Sequence, residues 1–159
     1  MEKIASFTVD HNKLQRGIYV SRKDRVGSET LTSFDVRMKE PNREPVMDFP
    51  AMHTIEHLGA TYLRNHPQWA EKTIYFGPMG CRTGFYIIFH GDLTSEDIAP
   101  VMTDMFKFIS QYNDEIPGIQ PDECGNCLSH DLPMALWEAK RYVDHVLTQL
   151  KEENLNYPQ

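Results

Sequence analysis

Cysteine is scarce and odd in number, with only Cys81, Cys124 and Cys127 in a chain of 159 residues. An odd count makes a poor disulfide framework. A chain this long does not need one, since it buries roughly 68–70% of its unfolded surface on folding. No apolar run approaches the roughly 20 residues of a membrane-spanning helix. The first residues, MEKIASFTVDHNK, show no apolar signal core and no cleavage pattern, so export is not expected and a reducing cytoplasm is. Positive charge is in the minority: 16 Lys and Arg against 23 Asp and Glu leave a net charge of −7. That balance argues against a nucleic-acid binder, which carries a basic face. There is no G-x-G-x-x-G, hence no dinucleotide fingerprint, and no internal repeat or low-complexity segment.

What is present is ordinary globular composition, with 40% hydrophobic residues, 25% charged residues and 17 aromatics (2 Trp, 7 Tyr, 8 Phe). It excludes intrinsic disorder and suggests one domain. The first 40 residues read as strands: IASFTVDH (4–11) by alternation, then GIYVSRKDRV (17–26) and TLTSFDVRM (30–38), the last two joined by a turn containing Gly27. Three prolines mark 40–50 as a connector. A helix follows over about 49–65, capped by Asp48, with Pro50 in its first turn and Met52, Ile55, Leu58, Tyr62 and Leu63 at helical spacing. Gly59 inside it suggests a close approach. TIYF (73–76) and TGFYIIFH (83–90) read as buried strands joined by GPMGCR. Thr94 and Asp97 form a capping pair for a helix carrying Ile98, Val101, Met102, Met105, Phe108, Ile109 and Tyr112. A loop over 114–130 precedes a last helix from Asp131–Pro133 to about Glu153. The expected fold is a single α+β domain with a mostly antiparallel sheet packed against helices.

His53 and His57 in HTIEH lie four residues apart, so both imidazoles share one helix face and can hold one divalent cation. Glu56 between them can act as a base beside it. The order H-x-x-E-H is the inverted-zincin pattern. Cys124 and Cys127 form C-x-x-C, which has three readings: a redox pair, a closed Cys₂His₂ zinc site with the two histidines, or a single cysteine ligand that leaves an open, catalytic position. Cys81, between Gly80 and Arg82, reads either as an exposed thiol favoured as thiolate or as a small core residue. His66, His90, His130 and His145 read as ordinary side chains, with His130 of interest for lying six residues after Cys124.

HTIEH, the turn PMGCRTGFY (78–86), the loop ECGN (123–126) and the start SFTVDH (6–11), in this order and at compatible distances, resemble the S-ribosylhomocysteine lyase (LuxS) family over nearly the whole chain. The resemblance implies one domain across 1–159, folded as a homodimeric two-layer sandwich with active sites at the subunit interface. It implies cleavage of S-ribosyl-L-homocysteine to L-homocysteine and 4,5-dihydroxy-2,3-pentanedione, the precursor of the signal autoinducer-2. It also implies one divalent metal per subunit, Fe²⁺ in the cell and Zn²⁺ or Co²⁺ in purified protein, and no nucleic-acid or membrane partner. By motif, His53, His57 and Cys124 correspond to metal ligands, Glu56 and Cys81 to the acid/base pair, and Ser6, His11 and Arg37 to substrate-binding positions. The chain departs from the family in having Tyr75, Phe76 and Gly77 where an acidic residue often precedes the PMGC turn, and in having Cys127.

Two other readings compete. An inverted-zincin peptidase would add a downstream carboxylate, for which Glu123 is the candidate. A non-enzymatic zinc module would close the site with Cys124, Cys127, His53 and His57.

Overall fold

The computed structural model describes residues 2, 4 and 7–158. Its sheet contains β1 (Gly17–Val26), β2 (Glu29–Arg37), β3 (Thr73–Pro78) and β4 (Gly84–His90) in the order β1-β2-β4-β3, with every pairing antiparallel. Among the described residues, three α-helices pack with it: α1 (Phe49–Arg64), α2 (Ser95–Ser110) and α3 (Leu132–His145). This is the expected single-domain α+β architecture.

Period-two alternation shows which face of the sheet the helices cover. Along β4, Phe85, Ile87 and Phe89 are buried while Tyr86, Ile88 and His90 are not. Phe34 and Val36 of β2 lie in the same core as Met52, Ile55 and Leu58 of α1 and Ile98, Met102 and Met105 of α2. Gly27, at a positive φ of 64°, makes the tight β1–β2 turn, a conformation open to glycine at no steric cost. Gly59 brings α1 down onto the sheet, for a β-carbon there would stand 2.5 Å from the Phe76 ring. Thr94 and Asp97 form the reciprocal capping box at the start of α2.

Three expectations need correction. Residues 4–11 form no strand among the described residues: Ile4 and Phe7 are exposed, and the Phe7 amide turns back to Ile4 O at 2.9 Å. Local bonds around Asp10, including Asn12 N to its Oδ1 at 3.0 Å, satisfy the backbone there, and such side-chain turns compete with strand pairing. Asp48 precedes α1 but makes no side-chain cap bond. The last helix ends at His145 rather than near Glu153 and continues as two short 3₁₀ turns, Leu147–Gln149 and Glu152–Asn154. At the break, the Thr148 hydroxyl bonds back to Val143 O at 3.0 Å, a local alternative to the helix ladder.

Candidate metal and catalytic site

The four-residue spacing on α1 brings the rings of His53 and His57 to a centroid distance of 4.7 Å. The loop before α3 folds over this face and locks both rings. His53 Nδ1 lies 2.8 Å from Ser129 O, and His57 Nδ1 lies 2.7 Å from Pro117 O. A carbonyl only accepts, so each Nδ1 carries hydrogen and each Nε2 presents a lone pair. Both lone pairs meet the Cys124 sulfur, at 3.5 Å from His53 and 3.9 Å from His57. The Asn126 amide also donates to that sulfur, at 3.4 Å. Two imidazoles and a cysteine converging through Nε2 and Sγ are the donor chemistry of Zn²⁺ or Fe²⁺, so the residues fit a divalent metal.

A fourth donor belongs to the group. The ligand atoms of His53, His57, Cys124 and His130 all lie within 4.8 Å of one another. His130 Nε2 is 3.8 Å from the sulfur, and its ring stacks on His53 at 4.0 Å. Burial, with His53 and His57 adding to it, pushes His130 down to about 4, so it is neutral at pH 7. The sequence reads His130 as an ordinary side chain but singles it out among the four remaining histidines. The available signal was its short separation from Cys124 within one loop. Cys127 is not in the group, so the closed Cys₂His₂ arrangement is not the one formed. Glu56, one residue before His57, is half-buried and makes no hydrogen bond or ion pair among the described residues.

A second cluster surrounds Cys81. The β3–β4 turn exposes the thiol and holds the next residue, Arg82, at a positive φ of 59°, a conformation that strains a residue with a side chain. Arg37, which the resemblance marks as a substrate-binding position, is only 3% exposed. Asp35 grips it through Nε at 3.0 Å and Nη2 at 2.5 Å. Tyr157 reinforces Asp35 with a hydroxyl bond of 2.9 Å. Arg37 Nη1 then reaches Thr83 Oγ1 at 2.6 Å and the Cys81 sulfur at 3.8 Å. Because the guanidinium can only donate, the Thr83 hydroxyl keeps its own proton and can donate it to the sulfur 3.0 Å away. Both Arg37 and Thr83 can therefore donate to the Cys81 sulfur.

His11 makes a local bond from Nδ1 to Val9 O at 2.9 Å. Ser6 lies outside the described residues. Among the described residues, no hydrogen bond or ion pair joins His11, or the Cys81 cluster, to the metal-donor group.

Fold and site define a class: a small α+β protein with, among the described residues, one His/Cys cluster that can hold a metal ion and a separate exposed thiol beside Arg37 and Thr83. The family model for S-ribosylhomocysteinase (LuxS) matches residues 4–153, and the chain belongs to that family. It is 58% identical over 158 residues to an S-ribosylhomocysteine lyase of Phocaeicola vulgatus, covering 99% of this chain and 98% of that one. Identity is also 58% to the S-ribosylhomocysteine lyase of Porphyromonas gingivalis strain W83, with 99% of each chain covered. It is 57% to that of Clostridium acetobutylicum, over the full length of both.

Proposed function

We propose that this chain is an S-ribosylhomocysteine lyase, cleaving S-ribosyl-L-homocysteine to L-homocysteine and 4,5-dihydroxy-2,3-pentanedione, the autoinducer-2 precursor. The observation that carries the reading is the convergence of the HTIEH imidazoles and the Cys124 sulfur, in a chain whose family and full-length relatives bear that name.

The substrate is a thioether of ribose, and its sulfur leaves only once a carbonyl stands at C3 with an acidic proton at C4. The carbonyl must therefore migrate from C1 to C2 to C3. Each shift removes a proton α to a carbonyl and returns one to a neighbouring carbon or oxygen. A divalent metal, Fe²⁺ in this reading with Zn²⁺ or Co²⁺ as substitutes, supplies a Lewis acid that stabilises the enediolate charge developing on the substrate. His53, His57 and Cys124 would hold it. Glu56, unengaged by any other side chain, accepts and returns protons beside the metal. Cys81, flanked by the Arg37 guanidinium and the Thr83 hydroxyl, does so as a thiolate from the other side. The last proton removed, at C4, expels homocysteine as a thiol.

Ser6, His11 and Arg37 bind substrate in this reading. The buried Asp35 clamp gives Arg37 a fixed direction from which to do so. The outer sheet face carries a groove of about 330 Å³ lined by Ile4, Ser21, Ser33, Tyr75, Tyr86 and Ile88. A second copy covering it makes the homodimeric sandwich and places the active sites at the subunit interface. The enzyme acts in the cytoplasm as one domain spanning 1–159.

Chelation tests the metal's part. Removal of metal should stop release of free thiol from S-ribosylhomocysteine, and Fe²⁺ or Co²⁺ should restore it. Undiminished release from metal-free protein would overturn the reading.

A further inference from the structure

This inference rests on the substrate-binding role of His11 in the lyase reading above and concerns what holds the turn that carries it. The Lys13 and Leu14 amides both return to Asp10 O at 3.1 Å, and His11 sits in the turn they close. Leu14, at its far end, is fully buried. Arg43, in the connector between β2 and α1, reaches back to this turn. Its Nη1 donates to Asn12 O at 2.7 Å and its Nη2 to Leu14 O at 2.5 Å, while its Nε meets Glu40 at 3.2 Å. All three guanidinium nitrogens are therefore engaged. Two carbonyls two residues apart take both ends of one planar fork. Such a grip fixes the orientation of the turn as well as its position, which the point charge of a lysine does not. Arg16 and Glu44 tie the same two segments together just behind it, Nε to Oε1 at 2.8 Å.

The same connector holds the Cys81 turn. The Met38 and Lys39 amides both bond to Thr83 O at 2.9 Å, and the Met47 amide bonds to Arg82 O at 3.0 Å. Arg43 lies between these attachments. Between them the connector bends at Asn42, at a positive φ of 61°, a conformation that asparagine adopts more readily than most residues. The connector is thus a common support for the turn bearing His11 and for the turn bearing Cys81, which Arg37 also contacts.

We propose that Arg43 is a positioning residue of the lyase, holding the His11 turn in a fixed relation to Cys81 and Arg37. Substrate then meets a turn that is already ordered, and binding does not bear the cost of ordering it.

Kinetics and hydrogen exchange on Arg43→Gln and Arg43→Lys test this. In Arg43→Gln, KM for S-ribosylhomocysteine should rise about tenfold, the worth of one hydrogen bond to a charged group. kcat should change less than about twofold, as for a loss of uniform binding. Exchange at the Lys13 and Leu14 amides of the substrate-free protein should quicken about tenfold. Arg43→Lys should fall between, because an ammonium serves one carbonyl and not both. Added to His11→Ala, Arg43→Gln should raise KM no further, since both act through one turn. An active Arg43→Gln with unchanged KM, even with faster exchange, would overturn the inference, as would KM penalties that add in the double variant. Should Arg43→Gln fail to fold, the same comparison on Arg43→Lys decides. A wild type that releases no thiol would overturn the lyase reading instead, and exchange at the turn would still show whether Arg43 holds it.

Discussion

At the scale of single residues, the account assigns binding and proton transfer to different side chains, and substitutions separate them. Cys81→Ala and Glu56→Gln should each lower turnover by about 10²–10⁴-fold, the usual contribution of a positioned acid or base, while metal content measured on the purified protein stays near one per chain. Near-normal turnover in either variant would remove that residue from its role. His57→Ala should instead lose the metal, and full retention would exclude His57 as a ligand. His53 and His57 were legible from helical spacing, and Cys124 only through the ECGN resemblance, since the C-x-x-C by itself left Cys127 open. His130 was flagged only by its closeness to Cys124, because a loop has no periodicity and its ring is placed by tertiary contacts with Thr54 and His53. The environment of Arg37 is equally hidden in the sequence, because Asp35 and Thr83, which bind it, and Tyr157, which binds Asp35, come together only in the tertiary structure.

At the scale of elements, the helix and strand periods located β1 to β4, α1 and α2 closely. Alternation failed at 4–11 because it cannot tell a strand from a turn whose backbone is satisfied locally, as it is around Asp10. It failed past His145 because Thr148 bonding back onto α3 is a side-chain choice rather than a hydrophobic pattern. The glycine in α1 was correctly read as a close approach. Gly59→Ala should destabilise the fold by about 1–3 kcal/mol, because overpacking against Phe76 outweighs the better helix propensity of alanine. Urea unfolding measures it, and a stabilised variant would contradict the packing argument. Thr94→Ala, which removes half of the α2 capping box, should lower stability by about 1 kcal/mol in the same experiment.

At the scale of the whole molecule, the sheet's two faces have different fates. One is sealed by the helices, and the seal includes a buried ion pair: Lys39, just past β2, meets Glu138 of α3 at 2.7 Å with both side chains 7% exposed. Glu138→Gln leaves a buried ammonium without its partner and should reduce stability by about 3–5 kcal/mol, whereas replacing both residues by apolar ones of similar volume should be near neutral. The other face carries the groove beside Tyr75 and Tyr86. The dimer reading predicts a sedimentation mass twice the 18.5 kDa of the chain. The sequence carried the family through four ordered motifs, but the groove is assembled from residues of all four strands, and a dimer could be read only as a family expectation. The central claim, a metal-dependent thioether lyase, is tested most directly by mixing anaerobically purified, metal-quantified protein with S-ribosylhomocysteine and following free thiol and dicarbonyl product together. The account predicts that the two appear in equal amounts. No thiol from protein that holds one metal per chain and has Cys81 reduced would contradict it.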